Sequence, residues 1–155
     1  MAAFHFNDRK YADDDLTIGS IDPYQVFRIF HEIHFDCSAR GAKKMPAFMI
    51  DQSHNLKGKM EAMVQTVMVA QEMFAKAALI DQTRLAGLQQ ECRLVEAEEC
   101  FRSAFWQDVR PLVRDWRVAR GLPADPLKAL AESGYVERIT RERGVRNARS
   151  VSSYA

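Results

Sequence analysis

His5, Asp13, Asp15 and Asp51 are the side chains whose types and spacing suit a divalent cation. Mn²⁺, Co²⁺ and Zn²⁺ accept an imidazole among several carboxylates, and neighbouring carboxylates bind one ion or bridge two. Asp13 and Asp15, two residues apart in a loop, can chelate one ion together. Ser53 and His54 offer a hydroxyl and an imidazole, but adjacent residues at a strand end point apart, and no nucleophile elbow surrounds them. On types and spacing alone a blander reading stands ahead of a metal site: an aspartate run after a strand is more often a solvated turn, and a lone histidine between phenylalanines more often a core residue.

The elements that must position these groups are two short apolar runs. Ala47-Phe-Met-Ile-Asp-Gln-Ser-His-Asn55 starts apolar and ends in a carboxylate, amides, a hydroxyl and an imidazole. Such a run reads as a fully buried strand, and the C-terminal ends of strands are where open or barrelled α/β sheets place their chemistry. Ala2-Ala-Phe-His-Phe-Asn-Asp8 has the same design. Alternation puts Phe4 and Phe6 on one face and His5 and Asn7 on the other, and sets Phe48 and Ile50 opposite Met49 and Asp51. Each strand therefore turns an apolar face toward helices and delivers one candidate ligand to the other side.

Between the strands, Asp22 and Pro23 announce a helix, since an aspartate cap and a first-turn proline deal with amides that a helix start leaves unpaired. Val26, Phe27, Phe30, Ile33, His34 and Cys37 form its apolar face, and it ends near Gly41. A strand-helix-strand order predicts parallel pairing with a right-handed crossover. His31 and His34, with no acidic partner nearby on the same face, read as surface and core positions.

After Asn55 the pattern is helical. A long helix starts at Met60 and runs through Ala78, its methionines from Met60 to Met73 read as core. A second spans about Thr83 to Phe101. Phe105, Trp106, Val109, Leu112, Val113 and Trp116 mark a third, broken or begun near Pro111 and ended near Gly121. Asp125 and Pro126 open a fourth that stops at Gly134, and the Arg- and Ser-rich end from Gly144 to Ala155 reads as a flexible tail.

The net charge of +1 over 155 residues gives no long-range field for nucleic acid or an anionic membrane. No aromatics interleave the late arginines to stack bases, so no nucleic-acid partner is expected. Three cysteines, Cys37, Cys92 and Cys100, form no close metal-type pair and read as reduced thiols. No apolar run suits a signal peptide or a bilayer span, so a soluble cytoplasmic protein is expected. Two adjacent strands cannot close a sheet by themselves, and the chain begins almost inside one of them. It reads as the last part of a larger α/β protein.

Phe4-His-Phe-Asn-Asp-Arg-Lys-Tyr-Ala-Asp-Asp-Asp-Leu16 and Met49-Ile-Asp-Gln-Ser-His-Asn55 together resemble the bacterial L-rhamnose isomerase family. The likeness includes Gly19-Ser20, Asp22-Pro23-Tyr24 and Glu61-Ala62-Met63, and continues less specifically through Asp108-Val-Arg-Pro111 and Ala131-Glu-Ser-Gly-Tyr135. It implies the last two β/α units of a TIM (β/α)₈ barrel in residues 1–57, a helical extension over 58–143 and the tail over 144–155. It implies that His5 and Asp51 are ligands of a structural metal and Asp13 and Asp15 of a catalytic one, with Mn²⁺ expected first and Co²⁺ or Zn²⁺ as alternatives. Ser53, His54 and Lys10 would lie beside the sugar, in roles that the likeness leaves open. The implied reaction interconverts L-rhamnose and L-rhamnulose by a metal-assisted hydride shift, in an assembly that is commonly oligomeric. A glutamate, an aspartate and a histidine that complete the family's metal shells have no counterpart in this sequence. The chain is therefore expected to be inactive alone and to need a complementing N-terminal barrel fragment. The competing expectation is a non-catalytic oligomerisation or interaction module derived from the isomerase.

Overall fold

The computed structural model describes residues 3–11, 15–52 and 57–143. Two short strands, β1 (Ala3–Phe6) and β2 (Ala47–Ile50), flank α1 (Pro23–Ala39). Six helices follow: α2 (Lys59–Ala78), α3 (Gln82–Gln90), α4 (Leu94–Phe105), α5 (Arg110–Val118), α6 (Pro126–Glu132) and α7 (Tyr135–Arg143). The strands pair in parallel, with Phe4 opposite Phe48 and His5 opposite Met49, as the strand-helix-strand order predicts.

The alternation has a visible consequence. Phe6 stacks on Phe30 of α1 with ring centroids 5.1 Å apart, and Phe48 meets the same Phe30 edge-on at 5.5 Å. One helical side chain thus receives both strands, and α1 in turn packs along α2. Phe27 and Phe30 are fully buried at the centre of this layer. The start of α1 is built as its sequence requires: the Asp22 carboxylate accepts from the Gln25 amide at 2.9 Å, and Pro23 opens the first turn. Asp81 and Asp125 cap α3 and α6 in the same manner.

Several expectations are corrected. The two strands are not fully buried: Phe48 and Met49 of β2 are 42% and 47% exposed, because no strand or layer covers their outer side among the described residues. The methionine stripe of α2 is not core either, since Met60 and Met63 are exposed and only Met73 enters the interior. The helix expected over 83–101 is two helices. Cys92 takes a left-handed conformation, φ 54°, and the Arg93 amide returns to the Leu88 carbonyl at 2.9 Å, closing α3 in the way glycine usually does. Phe105 belongs to the end of α4, where the Lys76 ammonium bonds its carbonyl and sits over its ring. His31 is core and His34 half-buried. His31 lies between Glu32 and Gln82, each oxygen 3.1 Å from a ring nitrogen, because α3 closes over that side of α1.

Farther along, α5 is tied to α2 by a buried cation. Arg117 donates from Nε and Nη2 to the Gln71 Oε1, at 2.9 and 2.7 Å. At the next residue, burial pushes the Glu72 carboxyl above its usual range against the pull of Arg110, Arg117 and Lys76, while burial lowers Lys76. A carboxyl raised by folding contributes stability that is present at low pH and lost as pH rises through its folded value. Glu72→Gln is therefore expected to raise the thermal midpoint at pH 7 and to leave it unchanged below about pH 4, where both side chains are neutral. Melting curves at the two pH values check the sign.

Among the described residues the three cysteines are free thiols, and no helix is long and apolar enough to cross a membrane.

Candidate functional site

The sheet brings His5 and Asp51 together. The register sets His5 opposite Met49, two residues before Asp51, and the ladder extends past β2 because the Asp51 amide donates to the Phe6 carbonyl at 3.1 Å. Strand alternation then sends both side chains to the face opposite Phe6 and Phe48. His5 Nδ1 stands 3.6 Å from Asp51 Oδ2, with both side chains more than half exposed. His5 is therefore no core histidine.

The 3.6 Å spacing is a few tenths of an ångström wider than a shared ion sets. Nitrogen and oxygen donors each about 2.0–2.2 Å from one metal lie roughly 3.0–3.4 Å from each other at ordinary coordination angles. An imidazole and a carboxylate are also the donor types that Mn²⁺, Co²⁺ and Zn²⁺ accept. The fit stops at two ligands: among the described residues no three His, Cys, Asp or Glu side chains gather around one point.

Asp15 is held apart from that pair and is oriented by a neighbour. Asn7, on the His5 side of the strand, donates from Nδ2 to Asp15 Oδ1 at 2.8 Å. Lys10 reaches over the ring of Tyr11, 5.1 Å from its centroid. Asp13, Ser53 and His54 lie outside the described residues.

Pattern reading passed over the residue that builds this loop. Asp8 is buried, and its Oδ2 accepts from the amides of Ile21 and Asp22 at 2.7 and 3.2 Å. Its backbone exchanges two further bonds with Leu16, at 3.0 and 2.7 Å. Four hydrogen bonds to one residue thus tie together the chain on either side of Lys10 and Asp15. Gly19 seats the returning strand of that loop: its φ is +74°, and an added Cβ would stand 2.8 Å from Val69 of α2. Only glycine takes both the conformation and the approach without strain. A second anchor lies after β2, where the buried Thr66 hydroxyl donates to Gln52 Oε1 at 2.7 Å, and Lys57 bonds Thr17 and Gln65.

Asp8→Ala strands two amides at the loop base. It is expected to cost roughly 1–3 kcal/mol, the range for a buried group left without its partner. Hydrogen exchange should then speed up at Ile21 and Asp22 ahead of the α1 amides. Equal protection in wild type and variant would show that the carboxylate holds nothing.

No family model matches the chain. Over 144 residues, 92% of its length, the chain is 40% identical to a probable sugar isomerase of Rhizobium meliloti and 37% identical to a probable sugar isomerase of Mesorhizobium japonicum. The chain spans about one third of the length of these curated relatives, which makes it similar to one part of proteins named as sugar isomerases.

Proposed function

We propose that this chain is the C-terminal portion of a metal-dependent aldose-ketose isomerase, acting on L-rhamnose and L-rhamnulose. Its two strands would be the last two of a (β/α)₈ barrel, and α2 to α7 its helical extension. The observation that carries the reading is the His5–Asp51 pair. An imidazole and a carboxylate meet 3.6 Å apart where two parallel strands end, in a chain 37–40% identical to probable sugar isomerases.

His5 Nδ1 and Asp51 Oδ2 are the donors for one ion, and Asp15 with Asp13 for a second. Mn²⁺ bound there would supply Lewis acidity toward the carbonyl and hydroxyl oxygens of an open-chain sugar. Asn7 keeps the Asp15 carboxylate in a fixed orientation, and Asp8 keeps the loop beneath it closed. Ser53, His54 and Lys10 would contact the substrate. With two of the ligands for its first ion, the chain needs the rest of the barrel to close either shell.

The test is an assay for ketose formation from L-rhamnose with Mn²⁺. The purified chain is measured alone, then together with the two thirds of the Rhizobium meliloti relative that it does not match. The expected result is no turnover alone and turnover after mixing. A chain that turns over alone at the rate of the intact relative would overturn the incomplete-site reading, and an assembled pair inactive on L-rhamnose and other aldoses would overturn the isomerase reading.

A further inference from the structure

Away from the sheet, a polar concavity opens where α2 passes the link between α4 and α5. It holds about 290 Å³, near the lower end of the roughly 300–1,000 Å³ found for small-molecule sites. Glu72 and Lys76 line it from α2, one turn apart, and Trp106, Gln107, Asp108 and Arg110 from the link and the start of α5. None of these residues belongs to the strands or the loop that carry His5, Asp15 and Asp51.

The lining is of mixed charge, and most of it is already balanced. Arg110 donates from Nε and Nη2 to the two Asp108 oxygens at 2.7 and 2.9 Å, which holds the Asp108 carboxyl down at about 2. Lys76 is engaged by the Phe105 carbonyl and lies over that ring. Glu72 differs. Its carboxylate is partly buried, yet it accepts no hydrogen bond and makes no ion pair among the described residues. An anion in this pocket would meet two carboxylates and cations already taken, and a cation would meet an ammonium and a guanidinium. A neutral ligand rich in hydroxyls meets neither penalty, because each hydroxyl both donates and accepts.

Trp106 supplies the apolar half of such a site. Its indole is 75% exposed and is fixed by an edge contact with Phe105, ring centroids 5.2 Å apart. A flat apolar plate beside paired donors and acceptors matches a pyranose, which carries C–H bonds on its faces and hydroxyls around its rim. We infer that the pocket of Glu72, Lys76, Trp106 and the Asp108–Arg110 pair is an accessory site for a neutral pyranose, stacked on Trp106 and hydrogen-bonded through its hydroxyls to Glu72 and Arg110. The site takes a closed ring and needs no metal, whereas the proposed isomerisation uses an open chain and Mn²⁺, so it goes beyond the isomerase reading and does not rest on it.

The experiment titrates methyl α-L-rhamnopyranoside and methyl α-D-glucopyranoside, locked rings that cannot open to an aldose, onto the purified chain in EDTA. Saturation-transfer NMR follows the sugar protons. Saturable binding of at least one glycoside is expected, with the C–H protons of one ring face receiving most of the saturation. Trp106→Ala and Glu72→Ala are each expected to weaken it at least about tenfold, for loss of a stacked plate and of a charged acceptor. Circular dichroism should show unchanged helix in both. Trp116→Phe, which alters the other tryptophan outside this pocket, and Asp51→Asn should bind like wild type. Absence of saturable binding for both glycosides would overturn the site, as would binding that survives Trp106→Ala or is lost in Trp116→Phe. Tighter binding of inorganic phosphate or of tetramethylammonium at Trp106 would overturn the neutral class of its ligand. None of these failures touches the isomerase reading, which rests on the sheet face of His5 and Asp51.

Discussion

Replacing Phe30 by alanine is expected to cost about 3–5 kcal/mol, the range for deleting a fully buried aromatic ring. Phe30 is 1% exposed, stacked on Phe6 and met edge-on by Phe48 and by Phe74 of α2, at 5.1, 5.5 and 6.1 Å. Among the ring contacts of the described residues, no other side chain joins both strands to α1 and α2. Native domains hold about 5–15 kcal/mol in total, so the variant should lose much of its cooperative urea transition followed by circular dichroism. Phe48→Ala removes a ring that is already 42% exposed and should cost far less. Comparable losses for the two would mean that the strands do not depend on Phe30.

The second large effect is on metal binding and has the opposite profile. In the chain assembled with the rest of the barrel, Asp51→Asn and His5→Ala are each expected to weaken Mn²⁺ binding by at least about 100-fold. Loss of groups that merely orient ligands already costs 10–100-fold. In the chain alone, where both side chains are solvent-exposed, stability should move by no more than about 0.5 kcal/mol. Paramagnetic resonance of free Mn²⁺ measures the affinity directly. Asp36→Asn, which breaks only the surface pair with Arg40, serves as the control. Affinity equal to wild type in both ligand variants would remove His5 and Asp51 from any metal site.

The contrast between these two predictions reflects what could be read from residues alone. Strand alternation is a strict period of two, so the faces of Phe4, His5, Phe6 and Asp51 follow from the order of side chains, and parallel pairing follows from the helix between. Caps are equally local, and Asp22 and Asp125 lie where their types place them. The role of Asp8 was hidden because its carboxylate serves amides 13 and 14 residues away, a relation that no spacing rule encodes. The break at Cys92 was hidden because a cysteine occupies a conformation that glycine or asparagine usually signals. Burial of β2 and of the α2 methionines was over-read for a third reason. An apolar side chain reports that it needs cover, and the cover for Phe48 and Met49 is not supplied by the described residues.

The parallel pairing of β1 with β2 also sets an order of events. Ala3 meets Ala47 and Phe6 meets Ile50 across the whole of α1, so the strands close a loop of about forty residues for only four register pairs. Loop closure of that length is an entropic barrier that local helix formation does not face. The helices and the contact of α1 with α2 are expected to form first and the strand pair last. The imidazole of His5 and the carboxylate of Asp51 then become neighbours only in the final step of folding, and a Mn²⁺ signal that grows in after the helical signal in a stopped-flow refolding experiment would time that step.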